Sequence, residues 1–315
     1  MRLVIGVVGA TATGKSDLAI ALAERLGGEV VGADASQLYR GMDIGTAKVP
    51  VAERRGVAHH QLDVLDVTQE ASVAAYQQDA RADIEAVLGR GRVPVVAGGS
   101  GLYVRAALDR LEIPPTDPTV RRALEDRLAV EGVAPLLAEL REVDPRAAAA
   151  IEPNNGRRVV RALEVLALTG RPFSATMPTR EFVGPTVLVG LRVDRDTLDR
   201  RIESRTRAMF AAGLVEETRG LVELGLREGR TSSRAVGYAQ ALAVLDGTMT
   251  PEDATADTAL RTRRLVRRQE SWFGADPRVH WVDALDRDLV DRAVRLVEET
   301  ATSGGRGGWD DGSHG

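Results

Sequence analysis

Gly9-Ala10-Thr11-Ala12-Thr13-Gly14-Lys15-Ser16 is a complete G-x-x-x-x-G-K-[ST] phosphate-binding turn, and its flanks decide the fold. Before it, Leu3-Val4-Ile5-Gly6-Val7-Val8 is a short apolar, β-branched run that reads as a buried strand. After it, Leu18, Ala19, Leu22 and Leu26 recur at helical spacing and stop at Gly27-Gly28, a helix C-terminus. Strand, glycine turn and helix N-terminus together place backbone N–H groups around a phosphate. Lys15 adds a cation, and the Ser16 hydroxyl stands where it can ligate Mg²⁺. The predicted fold is α/β, with a parallel-sheet core of the P-loop nucleotide-kinase kind.

The turn specifies a phosphate and leaves the reaction open. Kinases, GTPases, motors and transferases with a diphosphate leaving group all use it. Motors and switches add a strand ending in Asp that helps to hold the metal. Here Val93-Pro94-Val95-Val96-Ala97 runs into Gly98-Gly99-Ser100-Gly101 without an acid. The acid follows the second strand instead, where Glu29-Val30-Val31-Gly32-Ala33 ends at Asp34. In a parallel sheet that end faces the ligand crevice, which predicts Asp34 close to the bound phosphates. The competing reading is a turn cap for Ala35-Ser36.

With 315 residues, 43% of them hydrophobic and 28% charged, the chain can bury one large core and a smaller unit. The absence of cysteine excludes disulfides and thiolate metal sites. The apolar run before the glycine turn is too short for a signal peptide, and no stretch approaches a membrane span. These features suit a cytoplasmic protein with no membrane partner, expected to act as a monomer. The net charge of −4 argues against nonspecific polyanion binding but leaves room for a local basic groove.

Such basic stretches exist. Arg261, Arg264 and Arg268 fall on one stripe of a predicted helix, with Arg263 and Arg267 on the next and Leu260 and Val266 on the remaining surface. Arg157-Arg158-Val159-Val160-Arg161 opens another helix that ends near Gly170. Either cluster could be a solvated face. Two of them in an acidic chain favour phosphate or RNA contact, because arginine suits bidentate phosphate recognition and base stacking.

Between Asp117 and Gly184 no strand is readable and helical patterns dominate, whereas strand character returns at Thr186–Leu191. The predicted organisation is a core of residues 1–116 and 185–302 interrupted by a helical insertion at 117–184, with a last short strand at His280-Trp281-Val282. Residues 303–315 have linker composition and are expected to be disordered. His59-His60 suggests a metal site only superficially, since neighbours on an extended chain point oppositely. Trp272-Phe273 reads as an anchor for a helix on the core rather than a stacking platform.

In order along the chain, GATATGKS (9–16), DASQLYRGMDIGTAK (34–48), GVAHHQLD (56–63), GGSGLY (98–103), DPTVR (117–121), RRVVRALEV (157–165), TGRPFS (169–174), AVGY (235–238) and RRQESWF (267–273) resemble the bacterial tRNA dimethylallyltransferases, also called tRNA isopentenyltransferases. The resemblance implies transfer of a prenyl group from dimethylallyl diphosphate to N6 of the adenine at tRNA position 37, beside the anticodon. It implies Asp34 as the base that takes the amine proton, with Lys15, Ser16 and Mg²⁺ serving the departing diphosphate. Arg205 is a candidate for a further diphosphate clamp, with a helix-surface salt bridge as the competing role. The target adenine must leave the anticodon-loop stack to reach the acid. Asp34, Ala35, Ser36 and Gln37 are expected at the target base and its neighbours, with Ser100 and Arg121 also on tRNA. Arg157, Arg158, Val159, Val160 and Arg161 form the insertion's RNA face, and Arg261, Arg264 and Arg268 lie against the RNA backbone.

Ala35 stands where this family commonly has Ser, Ser100 where it has Thr, and Glu152 where it has His, so individual hydrogen bonds are in question but the reaction is not. Three other readings stay open at this level. They are a prenyltransferase acting on free adenine nucleotides, a P-loop small-molecule kinase, and an RNA-binding chaperone with a vestigial nucleotide site.

Overall fold

Parallel pairing follows from the continuous apolar runs, because strands covered on both faces need no polar alternation. β1 (Val4–Gly9) is buried along its whole length, and α1 (Lys15–Leu26) follows the glycine turn and ends on the left-handed Gly27. β2 (Gly28–Gly32), the two-residue β3 (His59–His60), α2 (Val73–Gly89), β4 (Val93–Gly98) and α3 (Gly101–Leu108) come next. Then α4 (Pro118–Glu131), α5 (Val133–Val143), α6 (Pro145–Ala150) and α7 (Gly156–Thr169) precede β5 (Thr186–Arg192). The chain continues through α8 (Arg195–Ala211), α9 (Leu214–Glu223), α10 (Tyr238–Leu245), α11 (Pro251–Gly274), β6 (Val279–Asp283) and α12 (Leu289–Ser303). The computed structural model describes residues 2–176 and 180–303. The tail expected to be disordered falls outside the described residues, apart from Ser303, which ends α12.

The six strands form one parallel sheet in the order β3-β2-β4-β1-β5-β6, the α/β P-loop-like core expected from the glycine turn. β1 runs between β4 and β5, with Val8 opposite both Gly98 and Gly190. The connection from β1 crosses β4 to reach β2, so the chain reverses direction beside the end of β1, where open α/β sheets bind ligands. One face of the sheet (Ile5, Val7, Val30, Val95, Val189) packs on Leu18 and Leu22 of α1 and on Ala293, Val294 and Val297 of α12. Burying aliphatic side chains of this size stabilises by about 1.5–3 kcal/mol each.

The chain divides into two compact units, Asp109–Glu181 and the remainder. The smaller unit is helical and starts before the expected residue 117. The cause lies in the extended prolines ahead of α4, whose carbonyls are held by an insertion side chain. Arg161 donates to Pro115 O at 2.9 Å and to Pro114 O at 2.7 Å. Its helices begin on side-chain caps, Asp117 for α4, Asp144 for α6 and Asn155 for α7. Its core is Leu136, Leu137, Leu140, Ala147, Ala148, Ile151, Val159, Val160, Ala162 and Leu163.

Candidate active site

The glycine turn closes around its own backbone. Thr13 Oγ1 donates to Ala10 O at 2.8 Å, and Lys15 Nζ donates to the same carbonyl at 2.6 Å. Ala12 holds a left-handed φ of 67°, a conformation costly for an L side chain, so the turn carries local strain of the kind found at ligand sites. Gly9 admits no side chain, as a Cβ there would lie 2.8 Å from Leu191 O. Ser16 is exposed in the first turn of α1, with its hydroxyl available to a cation. Burial draws the Lys15 ammonium down to about 8, the Asp34 carboxylate opposes that shift, and Arg205 adds to it.

Asp34 lies just beyond β2, where Ala33 N–H donates to Ala97 O at 2.8 Å. Its Oδ1 accepts the Ser36 N–H at 2.9 Å, so the turn-capping reading describes a real contact. The second carboxylate oxygen makes no hydrogen bond among the described residues, so capping leaves one oxygen for chemistry. Arg205 on α8 is half-buried, and burial lowers its pKa while Asp34 pulls it back up. It has no ion pair among the described residues, so the salt-bridge alternative finds no partner there. The Asp34 charge also bears on Tyr76 and Tyr103, whose phenols burial pushes up, Tyr103 to about 12. Lys15, Arg205, Asp34 and two tyrosines thus share one electrostatic neighbourhood at the C-terminal edge of the sheet.

Ser100 Oγ accepts the Ala35 N–H and Ser100 N–H donates to Ala33 O, both at 3.4 Å, which stitches the loop after β4 to the segment around Asp34. Gln37 turns its amide to Thr46 O at 3.1 Å. Ala35, Ser36 and Gln37 are each partly exposed.

In the insertion, Arg157 and Arg158 are exposed at the start of α7. Val159 and Val160, expected on the RNA face, are instead 0% and 1% exposed in the unit's core. Helical spacing turns them away from Arg157 and Arg158, and they are corrected to packing residues. Arg121 and Arg161 converge on Glu164, a fully buried carboxylate, at 2.5 and 2.8 Å. On α11, Arg261, Arg264 and Arg268 are exposed, and Arg261 is paired with Asp257 at 2.6 Å. Val266 is buried while Leu260 stays 43% exposed, so the inner face runs through Ala254, Thr258, Ala259, Val266, Gln269 and Phe273. Phe273 anchors the helix, and Trp272 covers Gly101, where a Cβ would meet the indole at 2.1 Å. His60 Nε2 lies 2.7 Å from Glu29, which Arg90 also holds, and His59 Nδ1 contacts Val57 O at 2.9 Å. Among the described residues no three His, Cys, Asp or Glu side chains cluster as a metal site, and no helix is long and apolar enough to cross a membrane.

Sequence reasoning missed four supporting residues. Glu217 accepts the Ile44 N–H at 2.9 Å and the Tyr238 hydroxyl at 2.5 Å. Lys48 is buried and donates to Tyr39 O at 2.5 Å and Asp43 Oδ1 at 2.9 Å. Together with Tyr238 they hold the 43–48 loop. The fourth, Gln269, spans two loops. Tyr238, Lys48 and Gln269 sit inside the family-like AVGY, GTAK and RRQESWF stretches, which were the available signal; Glu217 lies in none.

Residues 37–276 match the family described as IPP transferase, a stretch that begins just past the glycine turn and Asp34. A protein of Nocardia farcinica (strain IFM 10152) named tRNA dimethylallyltransferase is 59% identical over 309 residues, covering 96% of this chain and 97% of that one. A Streptomyces coelicolor protein of the same name is 56% identical over 303 residues, covering 95% and 97%. Among solved structures, the full-length tRNA isopentenylpyrophosphate transferase of Bacillus halodurans is similar at TM-score 0.70 and 37% identity, covering 97% of this chain and all of that one. A eukaryotic dimethylallyltransferase described as acting on tRNA is similar at TM-score 0.81 and 26% identity, over 96% of this chain and 80% of that one.

Proposed function

The chain belongs to the IPP transferase family and transfers a dimethylallyl group to tRNA, and from that premise we propose which of its atoms carry the reaction. The donor is dimethylallyl diphosphate and the acceptor is N6 of the adenine at position 37. The N6–C1 bond forms as the C1–O bond to diphosphate breaks, and the N6 proton passes to Asp34. An exocyclic adenine amine is a weak nucleophile because its lone pair is delocalised, so a positioned base contributes about 10²–10⁴-fold. The free oxygen of Asp34 is the acceptor, while its Oδ1 stays on the Ser36 N–H.

Diphosphate leaves with growing negative charge, which Lys15, Arg205 and the N–H groups of residues 9–16 other than Thr11, whose N–H is held by Gln269, stabilise. The exposed Ser16 hydroxyl is a hard oxygen donor that fits Mg²⁺ completed by phosphate oxygens and water. Bound there, the cation would neutralise charge on the leaving group. Ala35, Ser36, Gln37 and Ser100 contact the extruded base and its neighbours. Arg157, Arg158, Arg261, Arg264 and Arg268 engage the RNA backbone, and Arg121 and Arg161 do so through whatever donors Glu164 leaves free. The enzyme acts as a monomer in the cytoplasm.

The single observation that supports this assignment is that Asp34, with one carboxylate oxygen left unbonded among the described residues, follows β2 at the same edge of the parallel sheet where the glycine turn follows β1. Incubation with labelled dimethylallyl diphosphate, Mg²⁺ and unmodified tRNA, followed by nucleoside mass analysis, tests it. Isopentenyladenosine at position 37 with release of diphosphate is expected. Prenylation of AMP in preference to the anticodon stem-loop, or an unmodified position 37 with folded protein, overturns it.

A further inference from the structure

We propose that Gln269 is a positioning residue that sets the span between the phosphate cradle and the Asp34 carboxylate. The need for such a brace follows from the strand order. The cradle is carried by β1 and the acid by β2, and these strands are not neighbours, because β4 lies between them. Gln269 reaches from the inner face of α11 to the loops after β1 and β4, covering the half of that gap nearer the cradle. Its Oε1 accepts the Thr11 N–H at 2.9 Å, and its Nε2 donates to Gly99 O at 3.0 Å.

The residue is 8% exposed, and a carboxamide buried at that depth is costly unless both of its ends are paired. Each end is paired by a different loop, one after β1 and one after β4. Gly99 permits the approach, since a Cβ there would fall 2.5 Å from Nε2. The second loop then grips the acid on both sides. Ser100 bonds Ala33 and Ala35, and the Gly98 backbone lies so close that a Cβ would sit 2.1 Å from Ala33 O. Thr11, Gln269, Gly99, Ser100 and the backbone around Asp34 therefore form one continuous brace.

The brace needs a donor and an acceptor in the same planar group. An amide supplies both. An ionised carboxylate supplies two acceptors and would face Gly99 O with negative charge, whereas a protonated carboxyl restores the pattern of the amide. This inference rests on the assignment of diphosphate to the glycine turn and of the proton acceptor to Asp34.

The test is prenyl transfer by Gln269→Leu and Gln269→Glu at saturating dimethylallyl diphosphate and anticodon stem-loop, each as a ratio to the wild type across about pH 5.5–8. A buried carboxyl titrates upward into this window. Gln269→Leu is expected to lose about 10–100-fold in kcat at every pH, the scale of a small misplacement of reacting groups, with stem-loop affinity unchanged. The Gln269→Glu ratio is expected to rise about tenfold or more as pH falls, a recovery that a purely space-filling role would not produce. A Leu variant within about twofold of wild-type kcat overturns the proposal, as does a flat Glu ratio. Should the Leu variant fail to fold, the Glu profile decides alone. Asp34→Asn is run alongside: wild-type transfer by that variant defeats the assignment of the acid itself, whereas an inactive Asp34→Asn beside an unimpaired Gln269→Leu defeats only the brace.

Discussion

Tyr238 gives its hydroxyl proton to Glu217 Oε1 at 2.5 Å and accepts the Gly45 N–H at 3.2 Å on the same oxygen. Burial and the facing carboxylate hold the phenol far above its ordinary range, so it stays a donor. One ring thereby secures the loop whose Thr46 carbonyl orients Gln37. Tyr238→Phe is expected to cost about 1–3 kcal/mol in urea unfolding, as Gly45 N–H and Glu217 lose a buried partner. KM for tRNA rises in the same variant while KM for the donor stays put; equal rises in both would point to general loosening.

Asp34→Asn keeps an oxygen for the Ser36 N–H and removes the proton acceptor. A fall in kcat of about 10²–10⁴-fold is expected, with tRNA retention on filters little changed. Undiminished turnover would remove Asp34 from the chemistry.

Lys15 titrates near 8 when the chain is folded, against an ordinary 10.5. Between these values the unfolded chain binds more protons than the folded one, so stability rises with pH across that window and the buried charge costs stability below it. Donor binding runs the other way, and KM for dimethylallyl diphosphate is expected to climb as pH passes about 8. Lys15→Gln should show a high KM at every pH and lose the rise in stability, measured by denaturant titration at a series of pH values.

Glu164 is fully buried between Arg121, Arg161 and the Asp117 N–H. Burial alone would raise its pKa, and the hydrogen bonds from Arg121, Arg161 and that N–H together outweigh it, so the folded value lies below the ordinary one. Its stabilisation is therefore present at neutral pH and lost as acid protonates it. Glu164→Gln is expected to reduce the acid sensitivity of the Asp109–Glu181 unit, followed by hydrogen exchange, leaving the part owed to Asp144, whose carboxyl is also held below its ordinary range by the N–H groups of Ala147 and Ser174. Glu164→Ala should cost about 2–4 kcal/mol there, since the half-exposed arginines regain some hydration.

Gly101→Ala drives a methyl into the Trp272 indole. A loss of about 1–3 kcal/mol is expected, from overpacking against a flat ring. An unchanged midpoint would show the indole free to move.

The glycine turn, its flanking strand and helix, and the acid after β2 were legible because each has a local signature: a fixed motif, a period, a strand end. The insertion was legible as helices for the same reason. Which side of its last helix is exposed was not, since Arg157-Arg158-Val159-Val160-Arg161 reads as one basic run until the helix turns the two valines inward. Its onset was missed because Pro114 and Pro115 have no period and are claimed by Arg161 from far along the chain. Gln269, Glu217 and Lys48 were invisible for a related reason. A buried polar side chain is explained only by partners far along the chain, such as the 258 residues between Thr11 and Gln269, a separation no window of sequence contains.

The polypeptide departs the sheet and comes back through a single doorway. Arg110 N–H meets Glu181 O at 2.7 Å, and Val183 N–H meets Leu108 O at 2.9 Å. Outgoing and returning chain run abreast at this neck, so everything beyond it is a cassette spliced into an otherwise continuous scaffold. Joining the two sides with a tight turn would excise the cassette and spare every strand, and another folded module could be grafted in the same gap.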